Sequence, residues 1–277
     1  MLNATIKSIA ATVLAALALA SCGDKDKAGA TELFSQSEAA IASGDYAGAM
    51  TLLDTLNSRY AGQTEIRRQS LRLRAEAMQG IARDSIATVS RNLAEATLEV
   101  EKWSPEFTHV TSSVGLDGYF IPKGTAEKMM AATGIQARVS EKGLFYIVVN
   151  VQGKAIGLNS LEFVDGAEQV SSSEISSSRV VSVEGSETAS FNPEDLEGVG
   201  QWLMSHPGVS KVVIRGSKGN ASVKVDAKLR AELTKCYEYS CALQAQRLAS
   251  IRREKFERML ATARDQIANM QPDKTEE

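Results

Sequence analysis

The hydrophobic residues of this chain repeat with two different periods, and the change from one to the other limits the fold more than any other feature. Over residues 83–103, apolar side chains fall at Ile86, Val89, Leu93, Ala96, Val100 and Trp103, alternately three and four apart. That spacing makes a narrow helical seam that packs on another helix. Ser104-Pro105 ends it, because proline disfavours a helical residue before it. From about Val110 to Val225 the period falls to two, the signature of half-buried strands. From near Asp226 to about Met270 it is helical again, with Leu229, Leu233, Tyr237, Cys241, Leu248, Ile251, Met259, Ala263, Ile267 and Met270 on one line. Arg247, Arg252, Arg253, Lys255, Arg258 and Arg264 fill the rest of that helix. Glu254, Glu257 and Asp265 interleave with them, so the basic run reads as a solvated face. The two seams are complementary. They are expected to pair antiparallel as a coiled-coil-like stalk, with the β domain inserted at its far end.

In the period-two region, 144–151 is the most convincing strand, bounded by the turn sequences Glu141-Lys142-Gly143 and Gln152-Gly153-Lys154. Further strands are predicted at 119–121, 135–139, 155–158, 161–164, 179–183, 209–214 and 221–225. The serine-rich stretch 171–178 reads as an edge strand or a loop. Asn192-Pro193-Glu194-Asp195 predicts a helix start, with Asn192 as cap and Pro193 in first position, running to about Ser205 before Pro207-Gly208. The fold class expected is α+β: an N-terminal helical hairpin and long helix, a mostly antiparallel, sandwich-like β domain with one helix, and a long C-terminal helix. A curved α+β sheet is the other form this pattern allows.

Residues 31–80 are helical in pattern. The run Gly44-Asp45-Tyr46-Ala47-Gly48-Ala49 resembles the helix-turn-helix junction of a tetratricopeptide repeat, with Leu33, Phe34, Ser37, Ala40 and Ile41 lining one helix and Ala49, Leu52, Leu53 and Leu56 the next. The resemblance covers about one repeat, and Leu33 and Ala61 stand where the tryptophan-like residue and the closing proline belong. A single unit cannot bury its own face, so the reading is a repeat-like hairpin or a generic α-hairpin. Nearer the start, Lys7 precedes an apolar stretch at 9–20 that is too short to span a bilayer but fits the core of a signal peptide. The sequence Leu19-Ala20-Ser21-Cys22 is similar to the lipobox of Gram-negative bacterial lipoproteins. That resemblance implies removal of residues 1–21 and a thioether-linked diacylglycerol on Cys22, with enough acyl chains for stable anchoring. The polar stretch after Cys22 reads as a flexible tether to residue 30. In proteins of this type Asp directly after the cysteine holds them in the inner membrane; Gly23 stands there and favours the outer membrane. Asp24 and Asp26 are interrupted by Lys25 and Lys27, which leaves the leaflet open. The expected segments are therefore 1–21 signal peptide, 22–30 tether, 31–105 helical region, 106–225 β domain, 226–271 helix and 272–277 tail. As a whole the chain loosely resembles lipoproteins of unassigned function from Gram-negative bacteria, a likeness of organisation that carries no functional residues beyond Cys22.

A net charge of −3 offers no basic field for nucleic acid, and an aromatic content of 5% argues mildly against a glycan-stacking platform. Cys236 and Cys241 lie five residues apart on a helix, about 8 Å between Cα atoms, beyond disulfide reach; they read as small apolar packers. His109 and His206 have no metal-ligand partner at recognisable spacing. No cofactor motif is present, and Gly216-Ser217-Lys218-Gly219 reads as a hairpin turn, not a phosphate loop. The acids Asp117, Glu162, Asp165 and Glu168 have nothing in the sequence to set them at working distance. Trp202, with Val199 and Leu203, reads as core, and Trp103 as the cap of the seam. With no catalytic, metal or cofactor residues to assign, the leading expectation is a non-enzymatic scaffold. It would be tethered to the membrane through Cys22 and contact another envelope protein. The alternative is a module binding glycan or cell-wall fragments on a β surface around Tyr119, Phe120 and Tyr146.

Overall fold

The structure is a computed structural model that describes residues 25–111, 118–127 and 132–270. Residues 1–24, on which the expected signal peptide and Cys22 fall, and residues 271–277 lie outside the described residues, as does Asp117. The class is α+β, with two antiparallel sheets and two long helices in contact. The chain divides into two compact units, one of the described residues up to Arg91 with those from Ser250, the other of Asn92–Ala249. Both divisions cut a long helix. The residues at which packing changes therefore differ from those at which secondary structure changes.

The first unit begins with helix α1 (25–42), followed by α2 (Tyr46–Arg59) and the start of α3 (Thr64–Trp103). The expectation of a flexible tether reaching Ala30 is corrected: residues 25–30 are already helical and Ala30 is fully buried. The contact that holds this end is the ring of Tyr60 lying over Gly29, so close that a Cβ there would stand 2.3 Å from its hydroxyl. The Gly-Asp-Tyr run does what its chemistry allows. Gly44 takes a left-handed φ of 82°, and the Asp45 carboxylate caps α2 by accepting from the Gly48 amide at 2.9 Å. Tyr46 packs flat against Gly80 of α3. Gly80 therefore sits inside α3, and the helical regions predicted on either side of it form one continuous helix of 40 residues.

On α3 the predicted seam is observed, and its deepest line is Ala75, Ala82, Val89 and Ala96, seven apart. On α5 (Ala227–Asn269) the buried line is Ala242, Ala249 and Ala263, with Phe256 partly buried between them. α3 and α5 contact one another; in the second unit the Gln246 amide donates to the Thr97 hydroxyl at 3.1 Å. The line predicted on α5 is corrected in part, because Leu248 and Ile251 are exposed. α5 carries two stripes with the same period, and the alanine-rich one faces inward because small side chains on both helices let the axes approach more closely.

The second unit contains the sheets. The six-stranded sheet has the order β1 (Phe107–Val110), β2 (Tyr119–Pro122), β3 (Gly134–Ser140), β4 (Phe145–Val151), β8 (Ser186–Phe191) and β7 (Val181–Val183). The four-stranded sheet has the order β10 (Gly219–Lys224), β9 (Lys211–Gly216), β5 (Leu158–Asp165) and β6 (Glu168–Ser171). Their inner faces share one core, built from Ile147, Val149 and Phe191 on one side and Leu161, Phe163, Val212 and Ile214 on the other, with Leu233 of α5 joining them. The strands predicted at 155–158 and 161–164 are one strand, β5, with a bulge near Ser160; residues 155–157 are loop. β1, β6 and β8 were not anticipated, and 172–176 is loop. The helix predicted from Pro193 is shorter: Pro193–Gly198 forms turns, Gly198 takes φ 76°, and α4 spans Val199–Ser205. The break is at Gly198, whose left-handed backbone separates the opening turns from α4. The start itself is held as in a capping box, the Asp195 carboxylate accepting from the Asn192 amide at 2.7 Å and also from the Arg179 guanidinium at 2.6 and 2.8 Å.

Two loops are tied across the unit. Glu187, on the inner face of β8 and 4% exposed, accepts from the amides of Ile156, Gly157 and Leu158 at 2.9, 3.0 and 3.1 Å. The β9–β10 turn, the hairpin predicted at 216–219, donates back to the same loop from Ser217 and Lys218. Among the described residues, no buried side-chain nitrogen or oxygen lacks a partner.

Candidate functional site

Alternation along strands decides which side chains meet. Tyr119 pairs with Ser140, and Arg138 with Tyr146, so all four lie on the face of the six-stranded sheet turned away from the shared core. There the Arg138 guanidinium stands 4.1 Å from the centre of the Tyr119 ring and donates to Gln136 Oε1 at 2.7 Å. It also bonds the Tyr146 hydroxyl. Gln136 is fixed in turn by donating to the Ala126 carbonyl at 2.8 Å. Burial pushes the Tyr146 phenol up, and Arg138 only partly offsets it, so the hydroxyl keeps its proton. A cleft of about 400 Å³ opens beside Tyr146, between Ser140, Leu144, Ser190, Asn192 and Glu194. Phe120 does not belong to this surface: as the neighbour of Tyr119 it points to the opposite face, edge-on to Tyr239 at 5.6 Å and 4.8 Å from His109. The predicted surface of Tyr119, Phe120 and Tyr146 is thus corrected to Tyr119, Arg138 and Tyr146.

A second, wider groove of about 610 Å³ lies in the same unit where α4 and the first half of α5 meet the end of α3. Its floor is Ala96, Trp103, Met204, Tyr237 and Ala242. Gly200 permits this closeness, since a Cβ there would stand 2.1 Å from the Tyr237 ring. The rim carries Glu95, Glu99 and Glu238 against one cation, Lys102. Lys102 pairs with Glu99 at 3.1 Å and lies 5.3 Å from the Trp103 ring centre. Among the described residues Glu95 and Glu238 hold no ion pair. Cys241, expected as a packer, is exposed on this rim, whereas Cys236 is fully buried as expected. Burial pushes both thiols up, Cys236 furthest, so neither is a thiolate at neutral pH. In the first unit a cavity of about 710 Å³ lies beside α1 and α3; there Arg72 pairs with Glu76 and Arg68 with Glu65 outside the lining, while Glu38 also lines it.

One cluster has the outline of a catalytic relay. His206 lies between Ser205, whose hydroxyl is 3.0 Å from Nδ1, and Glu168, 2.6 Å from Nε2. The Trp202 carbonyl also lies 2.9 Å from Nδ1. A carbonyl only accepts, so Nδ1 carries a proton, and the carboxylate holds another on Nε2. The Glu168 hydrogen bond chiefly raises the imidazole's pKa. His206 is a cationic clamp stacked 4.0 Å from the Trp202 ring, not a base for Ser205. His109 is bound to Glu141 at 2.7 Å. The remaining predicted acids are dispersed: Glu162 pairs with Arg215, and Asp165 lies against Gly208. Among the described residues, no group of three or more His, Cys, Asp or Glu side chains is placed to hold a metal ion, and no helix is long and apolar enough to cross a membrane. No family model, curated protein or solved structure matches this chain.

Arg138 and the groove were both missed in the sequence. A strand arginine inside an alternating pattern was the available signal for the first. The groove has none, because its residues come from three elements far apart in the chain.

Proposed function

We propose that this protein is a lipid-anchored scaffold of the cell envelope that docks another polypeptide and does no chemistry on it. The observation carrying this reading is the groove over Trp103, Met204 and Tyr237. An aromatic and sulfur-bearing floor with the carboxylates of Glu95 and Glu238 on its rim has the anatomy of a protein-docking hot spot, and its open form suits a chain better than a small substrate. Anchoring rests on the lipobox-like Leu19-Ala20-Ser21-Cys22, and Gly23 favours the outer membrane. The test has two arms. Metabolic labelling with a fatty-acid probe marks the wild type and not Cys22→Ser. A photo-crosslinking amino acid at Met204 captures a defined polypeptide in intact envelopes, whereas the same probe at exposed Glu184 captures none. An unlabelled wild type sinks the anchor; absence of a Met204 adduct sinks the docking role.

A second reading is favoured by Tyr119, Arg138 and Tyr146. A stacked guanidinium and a phenol donor beside Asn192 and Glu194 suit a glycan or cell-wall fragment. Peptidoglycan-fragment binding that drops at least tenfold in both Tyr119→Ala and Arg138→Ala supports it; unchanged binding removes it.

A further inference from the structure

The groove over Trp103, Met204 and Tyr237 lies wholly within the second unit, and its charge is one-sided. Glu95 and Glu99 stand one turn apart on α3, Glu238 stands on α5, and α4 adds the uncharged Gln201 and Met204. Lys102 is the one cation among the lining residues, and it is already engaged, with Glu99 at 3.1 Å and the Trp103 ring centre at 5.3 Å. The nearest cations on the same helices have other places. Lys235 is bound to Glu106 at 2.9 Å, Arg247 donates to the Lys142 carbonyl at 3.5 Å, and Arg91, one turn before Glu95, belongs to the other unit. Among the described residues of this unit, no cation balances Glu95 or Glu238.

The floor is as selective as the rim. Ala96, Ala242 and Ala245 are small side chains on two helices, which lets a third helix approach closely. Trp103, Tyr237 and Met204, the last 39% exposed, leave ring faces and a thioether for an apolar anchor. Lys102 displays the remaining requirement in miniature, an ammonium held by a carboxylate and an aromatic ring together. Resting on the reading of this groove as a protein-docking site, we infer that its occupant is a cationic amphipathic helix of another polypeptide. The apolar face of that helix lies on Trp103, Met204 and Tyr237, and the Lys or Arg side chains flanking it meet Glu95 and Glu238. A bare polycation would leave the apolar floor uncovered. An acidic helix would face three carboxylates against one engaged ammonium. Floor and rim thus each exclude one simpler occupant.

The experiment titrates the full chain into fluorescein-labelled synthetic peptides and reads anisotropy. The probe is two heptads of Leu-Lys-Lys-Leu-Leu-Lys-Leu, with one counterpart carrying Glu for every Lys and another carrying Ser for every Leu. The Lys/Leu peptide is expected to bind at least tenfold tighter than either counterpart. Glu95→Lys/Glu238→Lys weakens it at least tenfold and turns the preference toward the Glu/Leu peptide. Glu101→Lys/Glu197→Lys makes the same change of charge at exposed sites outside the groove and leaves binding within twofold. Thermal unfolding by circular dichroism stays within a few degrees of wild type in both double variants. A Lys/Leu peptide that binds no better than its counterparts, or one indifferent to Glu95→Lys/Glu238→Lys, overturns the inference, as does an equal loss in the control pair. The Met204 photo-probe in envelopes separates this failure from that of the docking role. An adduct that persists in Glu95→Lys/Glu238→Lys leaves the docking role standing and removes the cationic helix as occupant; no adduct in wild type removes both.

Discussion

Glu187→Ala removes one carboxylate from between the sheets and leaves three amide donors facing its empty place. Two of them, from Ile156 and Leu158, are bonded in buried surroundings at 2.9 and 3.1 Å, and the third, from Gly157, is part-buried at 3.0 Å. A hydrogen bond to a charged group contributes about 1.5–3 kcal/mol net, and a buried donor left alone costs about 1–3 kcal/mol. The Gly157 donor regains some of this from water, and loss of a buried carboxylate offsets part of the rest. The net expectation is a loss of about 3–5 kcal/mol. Glu187→Gln keeps one oxygen, hence the two bonds that share Oε2, and sets its amide group against the Gly157 donor; about 1–2 kcal/mol is expected. In urea, with a slope near 2–3 kcal/mol per molar, the alanine variant unfolds about 1–2 M earlier at unchanged slope. Amide exchange at residues 156–158 also accelerates, because the loop opens locally. A loss under about 1 kcal/mol for alanine, or equal losses for alanine and glutamine, would refute the reasoning that these three bonds hold the loop.

The remaining predictions concern three other contacts. Gly80→Ala improves helix propensity by up to about 1 kcal/mol, yet its Cβ meets the Tyr46 ring at 2.4 Å. Calorimetry is expected to show a net loss of about 1–3 kcal/mol from overpacking, relieved in Gly80→Ala/Tyr46→Leu. Burial pushes the Asp195 carboxyl up, but the bonds from Arg179 and the Asn192 amide outweigh it and hold it below its ordinary value. Its stabilisation is therefore present above the unfolded aspartate pKa, about 3.9, and lost as pH falls through the lower folded value. Arg179→Ala should cost about 1–3 kcal/mol at neutral pH and flatten that acid limb in pH-dependent denaturation. The His206 imidazole is raised, chiefly by Glu168. Its contribution is fully present below the unfolded histidine pKa, about 6.5, and is lost as pH rises through the folded value. Imidazole NMR should titrate above 6.5 in wild type and lower in Glu168→Gln; identical curves would exclude the clamp.

Local pattern was enough for much of this protein. The three-four spacing from Ile86 to Trp103, the alternation around Tyr146 and the Gly-Asp-Tyr junction each express one residue's relation to near neighbours. They specified helix, strand and turn without reference to the rest of the chain. Asp226, whose carboxylate caps α5 by accepting from Leu229, stood where the last helix was expected to begin. What adjacency cannot encode is which of two equivalent stripes an element turns inward. α5 offered a larger-residue line through Leu248 and Ile251 and an alanine line through Ala242 and Ala249. The choice depended on the alanines of α3, more than a hundred residues away. The same holds at Asp195, whose bond to the Asn192 amide is local but whose ion pair with Arg179, sixteen residues earlier, is not. It holds again at Tyr119, Arg138 and Tyr146, brought to one face by strand register, and at the groove, whose walls are three distant segments. Secondary structure was legible because its energetics are short-ranged. Faces, partners and sites were not, because they follow from long-range packing that no window of sequence contains.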